Sequence, residues 1–194
     1  MRFFAKRQSL LYLCIATILL LAACGPGTAT PTPGGTTGRG FALDWYVESS
    51  GSDSNNCSDP SSPCQSLRGA FTKIYNEERD LADEYPDLLG VNHTVHVGPG
   101  TFTSSMAGSL VNMSGWTVSI IGSGSSATIL DGTGTLGGVL VNSGGDVTIR
   151  GLTVQNTIRA SASGCIDVRS DYDVLVEDVI LQNCFRSGLS HSGD

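Results

Sequence analysis

Apolar and polar residues alternate through the second half of the chain, and the alternation repeats every 27 residues. Residues 147–156 read VTIRGLTVQN and residues 174–183 read VLVEDVILQN, so each apolar position of the first segment has an apolar counterpart in the second. A fixed period of short alternating segments is typical of a stacked β-solenoid. The same offset relates two earlier pairs, Val139 with Ile166 and Val141 with Val168.

Shorter segments before this repeat also have the length and ends of strands in such a stack. They are residues 45–47, 94–97, 110–112, 118–122, 128–132 and 140–142. Stacked in parallel, each strand would pair with its equivalent in the next coil, and the apolar residues would form continuous inner columns. The pattern therefore predicts an all-β solenoid of about four coils. Leu110–Asn112 and Leu140–Asn142 carry the same letters and are predicted to align.

The repeat also predicts which side chains lie next to one another in neighbouring coils. Asn156 should stack with Asn183 at a bend, where an asparagine ladder satisfies backbone groups of the turn. Arg150 should lie beneath Glu177 on the outer surface, where an ion pair contributes little to stability.

From Ser66 the apolar period becomes helical. Ser66 is a favourable N-cap and Pro86 ends the run, so we expect a helix over about 66–85. A solenoid needs a cap over its exposed apolar end, and a helix ahead of the first coil would serve. The apolar positions are Leu67, Ala70, Phe71, Ile74 and Leu81, and the predicted outer face is acidic, with Glu77, Glu78, Asp80, Asp83 and Glu84.

The first 23 residues have the features of an export signal. A basic start is followed by an apolar run over residues 9–22 that is too short for a transmembrane span. The run closes in LAAC, which resembles a bacterial lipobox. The resemblance implies cleavage before Cys24 and lipid on that cysteine, and several acyl chains would anchor the protein firmly to a membrane. The alternative is an ordinary secretory signal with a chance cysteine.

The remaining chain divides into a tether and a folded domain. Residues 24–42 comprise Cys24 and a stretch rich in Thr, Pro and Gly, which we interpret as a flexible spacer. Residues 43–194 form the predicted domain. Without residues 1–23 the chain has eight Lys and Arg against 18 Asp and Glu, a formal net charge of −10. This charge disfavours nucleic-acid binding through a basic patch and favours a well-solvated surface.

Four cysteines remain after the predicted signal and lipidation site are set aside, in a compartment where disulfides persist. Cys57 and Cys64 bracket a short polar loop and are expected to form a disulfide. Cys165 opens one coil and Cys184 closes it, which could bring their sulfurs within reach of each other. Two buried free thiols are the alternative for this second pair.

Several segments together resemble the N-terminal part of secreted right-handed parallel β-helix proteins of the pectin-lyase-like superfamily. They include WYVESSGSDSNNC, PCQSLRGAF, VHVGPGTF, ATILDG and IRGLTVQN. The resemblance covers about residues 43–194. A solenoid that ended at Asp194 would expose its last strands and its apolar column, so we expect the natural protein to continue past Asp194, and docking of this end on another subunit is the alternative. The resemblance implies no single activity, because the fold is shared by polysaccharide lyases, glycoside hydrolases and adhesins.

Polysaccharide-active members of that superfamily place their sites on the outside of successive coils. Asp167 and Arg169 are predicted to point outward there, between Leu140 in the coil below and Ser190 in the coil above. One carboxylate and one guanidinium do not provide the paired carboxylates of a hydrolase. We therefore regard them as catalytic candidates for which a surface ion pair is the simpler interpretation.

Two further motifs have the residue types of ligand-binding sites. Asp146 and Asp173 stack in the repeat and could hold a cation, calcium in a lyase-like protein, but Asp is ordinary in turns and we favour that interpretation. Residues 132–137 match the glycine spacing of a dinucleotide site. They lead into another strand, without the helix that would receive a pyrophosphate, and are predicted to be a turn.

Three hypotheses of function follow. The first, which we favour, is a lipid-anchored extracytoplasmic module that contacts glycans and is non-catalytic or catalytically incomplete. The second is a pectate-lyase-like lyase or hydrolase whose active residues lie at or beyond the C-terminal end. The third is an adhesin or envelope scaffold. The expected partners are a membrane, through the lipid, and a polysaccharide, with no nucleic acid.

Overall fold

The computed structural model describes residues 42–84, 91–103, 108–158 and 164–192, which contain eleven strands and one helix. The predicted signal, Cys24 and nearly all of the tether lie outside these residues. Within them, no helix is both long and apolar enough to cross a membrane. The elements are β1 (Ala42–Val47), α1 (Leu67–Glu84), β2 (Asn92–Val97), β3 (Gly100–Phe102), β4 (Ser109–Ser114), β5 (Thr117–Gly122), β6 (Thr128–Asp131), β7 (Gly137–Asn142), β8 (Val147–Gln155), β9 (Gly164–Val168), β10 (Val174–Gln182) and β11 (Ser187–His191).

The strands stack in parallel into a solenoid with three faces. The first face contains β1, β2, β5 and the first halves of β8 and β10. The second contains β3, β6 and the second halves of β8 and β10, and the third contains β4, β7, β9 and β11. The described strands make about three turns. The predicted all-β parallel solenoid is therefore confirmed.

The strands of one turn of the solenoid form a rung. Inward side chains of successive rungs form the columns that the alternation predicts. On the first face Val95, Ile120 and Ile149 lie in register on one another, and none of them has exposed surface. Burial of each such side chain stabilises the fold by about 1.5–3 kcal/mol. The core of the solenoid is this stack of aliphatic side chains.

The predicted 27-residue register is found in β8 and β10 and in β7 and β9. It pairs Val147 with Val174, Arg150 with Glu177, Val139 with Ile166 and Val141 with Val168.

The predicted alignment of the two LVN segments is wrong. Asn112 lies beside Leu140, and Asn142 lies beside Ser114. A shift of two residues leaves every side chain on the same side of the sheet, so alternation alone does not distinguish the two registers.

A bend after β8 and β10 contains the predicted asparagine ladder. Asn156 and Asn183 both have left-handed backbone angles, with φ of 53° and 51°. Asn183 donates a hydrogen bond from Nδ2 to Oδ1 of Asn156 over 3.0 Å. Asparagine suits this position because it tolerates the left-handed conformation and can bond to its equivalent in the next rung.

The helix α1 begins as predicted and packs on β1. Ser66 accepts the Gly69 N–H at Oγ over 3.0 Å, which makes it the N-cap. Asp53 in the preceding loop accepts the Ser66 N–H over 2.9 Å and holds this cap in place. Leu67 and Ile74 have no exposed surface, so the helix covers part of the apolar core as the sequence predicts.

Both disulfides expected from the sequence are present. Cys57–Cys64 closes a loop along the outer edge of β1, where the Tyr46 N–H donates to the Cys57 carbonyl and the Cys64 N–H donates to the Tyr46 carbonyl, each over 2.8 Å. The Cys165–Cys184 disulfide joins β9 to the segment just after β10, so the alternative of two free thiols is wrong. The first face is therefore closed at β1 by backbone hydrogen bonds.

Candidate functional site

The outer surface of the first face carries a pair of stacked rings from neighbouring strands. Trp45 and Val47 point into the core, with 5% and 0% of their surface exposed, so strand alternation places Asp44 and Tyr46 outside. The parallel register sets Tyr46 beside His96, and the ring centroids lie 5.1 Å apart at an interplanar angle of 16°. His96 Nε2 donates to Asp44 Oδ1 over 2.8 Å. We call Asp44, Tyr46 and His96 the ring-pair site.

Asp44 also lines a cleft of about 410 Å³ between β1, the Cys57–Cys64 loop and α1. The lining combines apolar side chains with amides, a hydroxyl and charged groups, a mixture typical of small-ligand sites. Three carboxylates and one ammonium make the cleft acidic, so it favours neutral or cationic ligands over polyanions. The other lining residues are Leu43, Trp45, Asn56, Ser58, Lys73, Asn76, Glu77 and Asp80.

A buried hydrogen-bond network holds the Trp45 side chain in the wall of this cleft. Trp45 Nε1 donates to His93 Nδ1 over 3.0 Å, and His93 Nε2 lies 2.8 Å from Glu78 Oε1. Because the indole N–H can only donate, Nδ1 of His93 must accept, and Nε2 carries the proton and donates to the Glu78 carboxylate. The network thus links β1, β2 and α1 through a neutral imidazole.

The environment of His93 favours that neutral form. Burial lowers its pKa, and the hydrogen bond that His93 donates to Glu78 and the charges of Glu78 and Glu77 offset only part of this effect. The pKa therefore lies below the usual value of a histidine. Protonation would place a second donor against the Trp45 N–H and would break that hydrogen bond.

This network was not predicted from the sequence, although two signals indicated it. The alternation of His93 with Val95 places His93 inside, where a buried imidazole requires partners. Glu78 was predicted on the outer face of the helix, and this prediction is wrong, since its side chain is 25% exposed and bonds to His93. Glu78 follows the buried Ile74 by one helical turn, which places it on the same side.

The two catalytic candidates lie together on the third face. Asp167 pairs in register with Leu140 and Ser190, as predicted, but only 2% of its surface is exposed. Ser190 Oγ donates to Asp167 Oδ1 over 2.9 Å, and Arg169 donates from Nε and Nη2 to Asp167 Oδ2 over 3.1 and 2.6 Å. The ion pair is therefore more buried than the surface pair expected, because its carboxylate lies under these partners.

The candidate metal residues contact each other through the backbone. The Asp173 N–H donates to Asp146 Oδ1 over 3.2 Å, so this carboxylate bonds to the turn of the next rung. In the part of the chain that the structure describes, no three His, Cys, Asp or Glu side chains are grouped to hold a metal ion. Residues 132–136 form the turn between β6 and β7, as predicted, and Gly137 begins β7.

The fold and these contacts define the class of the protein as an all-β parallel solenoid with a helix packed on its first rung. Comparison with known proteins finds no matching family model, no matching curated protein and no matching solved structure.

Proposed function

We propose that this chain is a glycan-contacting module that acts outside the cytoplasm and is held at a membrane by lipid on Cys24. The observation that carries the glycan proposal is the position of Asp44, which bonds to His96 in the ring-pair site and also lines the adjoining cleft. Asp44 therefore connects the stacked rings to the hydrogen-bonding groups of the cleft.

This combination suits the chemistry of a sugar. The C–H groups of a pyranose pack against aromatic rings, and its hydroxyl groups bond to carboxylates and amides. Tyr46 and His96 supply the rings, while Asp44, Asn56 and Asn76 supply polar partners. The acidic lining favours neutral glycans or those with amino sugars over polyuronates.

The proposed location has separate support. Two disulfides in the described domain fit an oxidising, extracytoplasmic compartment. The lipobox resemblance supplies the membrane attachment. Metabolic labelling with a fatty acid should mark the wild-type protein, and a Cys24→Ser variant should lose the label. A wild-type chain that takes up no label would contradict the lipid anchor.

The glycan proposal is tested by titrating the purified full chain with defined oligosaccharides. We expect saturable binding of chitosan oligomers and weaker binding of neutral cello-oligosaccharides. Tyr46→Ala should weaken both by roughly tenfold, since a stacked aromatic contact contributes about 0.5–1.5 kcal/mol beyond its buried area. Asp44→Asn should weaken chitosan binding more than cello-oligosaccharide binding.

Tyr172→Ala is the matched control, because Tyr172 is an exposed tyrosine, 52% accessible, in the turn before β10. It should leave binding unchanged. Equal loss in both tyrosine variants would contradict the site. Cleavage of pectate in the presence of calcium, unaffected by Tyr46→Ala, would contradict the binding function and support a lyase.

A further inference from the structure

We propose that His93 is a pH-sensitive latch, whose protonation releases the second half of α1 from the solenoid and opens the cleft beside β1. The latch is a chain of three hydrogen-bonded side chains on three elements. Trp45 lies on β1, His93 on β2 and Glu78 on α1. The geometry of this chain determines which charge state of the imidazole is compatible with the closed arrangement.

The closed arrangement is compatible only with a neutral imidazole. None of the His93 side chain is exposed, so each ring nitrogen needs a partner within the protein. Trp45 Nε1 lies 3.0 Å from His93 Nδ1 and can only donate, so a proton on Nδ1 would face another donor. An imidazolium at this position therefore requires water or another acceptor at Nδ1, and the packing around the ring has to open to supply it.

The charged groups that act on His93 lie on α1. Glu78 accepts the Nε2 proton over 2.8 Å, and the charge of Glu77 also acts on the ring. The residues beside His93 in the neighbouring strands, Leu43 of β1 and Val118 of β5, are uncharged. Burial lowers the pKa of His93, and the two carboxylates offset only part of this effect. The imidazolium is therefore more stable in water than in the closed arrangement.

The second half of α1 is the side on which the latch opens. The buried apolar side chains of the helix lie in its first half, between Leu67 and Ile74. From Tyr75 to Leu81 every side chain is at least partly exposed, and Glu78 is 25% exposed. Segments with few buried apolar contacts open at a lower free energy than the core. Trp45 is 5% exposed and packs in that core, so the helix yields before the indole does.

The same half of α1 forms part of the wall of the cleft. Asn76, Glu77 and Asp80 line the cleft from this half, and Trp45 lines it from β1. Release of the helix would remove three polar groups from the wall. A ligand that needs this wall binds the neutral form of His93, so its affinity falls with the pH. This effect on glycan affinity rests on the proposed function of the cleft, whereas the opening itself does not.

Amide hydrogen exchange of the purified full chain tests the opening without a ligand. After correction for the pH dependence of intrinsic exchange, the rate over residues 75–84 should rise between about pH 7.5 and pH 5, by up to about tenfold per pH unit below 6.5. The strands β5 and β8 should keep their protection. Ordinary carboxylates remain ionised in this range, so a histidine is the expected source of the change.

His93→Gln removes the titrating group, because a glutamine amide can accept from Trp45 and donate to Glu78. It should keep residues 75–84 protected at both pH values. His191→Gln is the matched control at an exposed histidine of β11, and it should respond to acid as the wild type does. A rise in exchange that persists in His93→Gln, or no rise in the wild type, would overturn the latch.

Glu78→Gln is a second variant, which decides the matter if His93→Gln is already open at neutral pH. It keeps an acceptor for Nε2 and removes the charge that favours an imidazolium in the closed arrangement. Residues 75–84 should therefore exchange faster at pH 5 than they do in the wild type. An acid response equal to that of the wild type would contradict the proposed link between His93 and α1.

Binding of cello-oligosaccharides, which carry no titrating group, tests the link from the latch to the cleft. The affinity of the wild type should fall between about pH 7.5 and pH 5, and that of His93→Gln should stay constant. Absence of binding at both pH values would contradict the glycan function, while the exchange result still decides the latch. Equal losses of affinity in the two proteins would overturn the role of His93 in opening the cleft.

Discussion

Asn156 donates hydrogen bonds from Nδ2 to both carboxylate oxygens of Asp131, each over 3.1 Å, across neighbouring rungs. Gln155 donates to the same carboxylate over 2.7 Å, so two parallel amide ladders converge on one charge. Partial burial raises the pKa of Asp131, but the hydrogen bonds from Gln155, the Thr133 N–H and Asn156 together hold it below its usual value. Asp131 is therefore the ionised end of the ladder.

Removal of the ladder asparagine should destabilise the solenoid. Asn156→Ala loses the bonds to Asp131 and Asn183 and puts alanine, which lacks the polar side chain that lets asparagine tolerate it, in a left-handed conformation, so the free energy of unfolding should fall by about 2–4 kcal/mol. Asn156→Gly should lose less, since glycine tolerates that conformation. Urea denaturation measures both. Asn142→Ala, at an exposed strand end, should stay within about 0.5 kcal/mol of wild type. A larger loss for Gly than for Ala would contradict this account.

Acid should weaken the fold partly through Asp131. Its folded pKa lies below the ordinary aspartate value of 3.8, so its contribution to stability is complete above that pH and is lost as the pH falls through the folded pKa. Asp131→Asn should be less stable than wild type at pH 7 and should lose less stability below pH 4. Urea titrations at several pH values test this, with Asp171→Asn as an exposed carboxylate control. A parallel acid loss in the wild-type and Asp131→Asn proteins would disprove the role of this group.

The His93 network predicts a second pH dependence in a different range. Because burial lowers the folded pKa of His93, the unfolded chain takes up a proton first as the pH falls below about 6.5. Stability is then complete above 6.5 and decreases toward the folded pKa, by at most about 1.4 kcal/mol per pH unit. The unfolding free energy should show this slope in the wild type and in His96→Gln. It should be flat in His93→Phe, and a slope that persists there would exclude His93 as its source.

Reduction of the second disulfide should loosen the last rung. Cys165 and Cys184 are 19 residues apart, and a cross-link of this length contributes about 3 kcal/mol. In a Cys165→Ala/Cys184→Ala variant, amide hydrogen exchange should accelerate first in β10 and β11. Cys57→Ala/Cys64→Ala is the matched control and should accelerate exchange in β1. If hydrogen exchange accelerated equally along the whole solenoid in both variants, each disulfide would not be stabilising its own rung, and the prediction would be wrong.

Glycine at position 138 is required by the spacing between rungs. A methyl group there would collide with the carbonyl oxygens of Gly164 and Cys165, so Gly138→Ala should cost at least about 2 kcal/mol. Gly134→Ala is the comparison: its φ is 67° and nothing lies near, so only backbone strain of about 1 kcal/mol applies. Thermal unfolding of both variants distinguishes steric from conformational cost. Equal losses would contradict the collision.

The fold was predictable because β8 and β10 have the same sequence pattern, 27 residues apart, and the spacing of the two copies gives the register of the solenoid. Alternation defined the inner and outer sides, and the repeat defined the partner of each residue. Alternation could not predict the partner of Asn112, because shifting the strand by two residues leaves every side chain on the same side of the sheet. It also could not show that Asp167 is buried, since exposure depends on side chains from other parts of the chain.

The candidate site was less predictable for a related reason. Tyr46 and His96 become neighbours only once β1 is known to pair with β2, and these strands do not share the 27-residue repeat. The contact of Glu78 with His93 likewise depends on how α1 packs, which the helical period restricts to one side without defining its partner. Sequence patterns predicted which side of a strand or helix each side chain occupies, whereas the packing of α1 and β1 determined which side chains touch.

The two ends of the described stack differ in the contacts that stabilise them, and this difference gives the described rungs an order of unfolding. The rung at β1 has a disulfide-closed loop along its edge and a helix that bonds to it through His93, whereas β10 and β11 are attached mainly to the rung below, by strand pairing and by the Cys165–Cys184 disulfide. Because each rung of a solenoid contacts only its neighbours, fraying proceeds from the weaker end. Asp44, Tyr46 and His96 lie at the other end, so a binding surface there would keep its shape after the far rungs have begun to open.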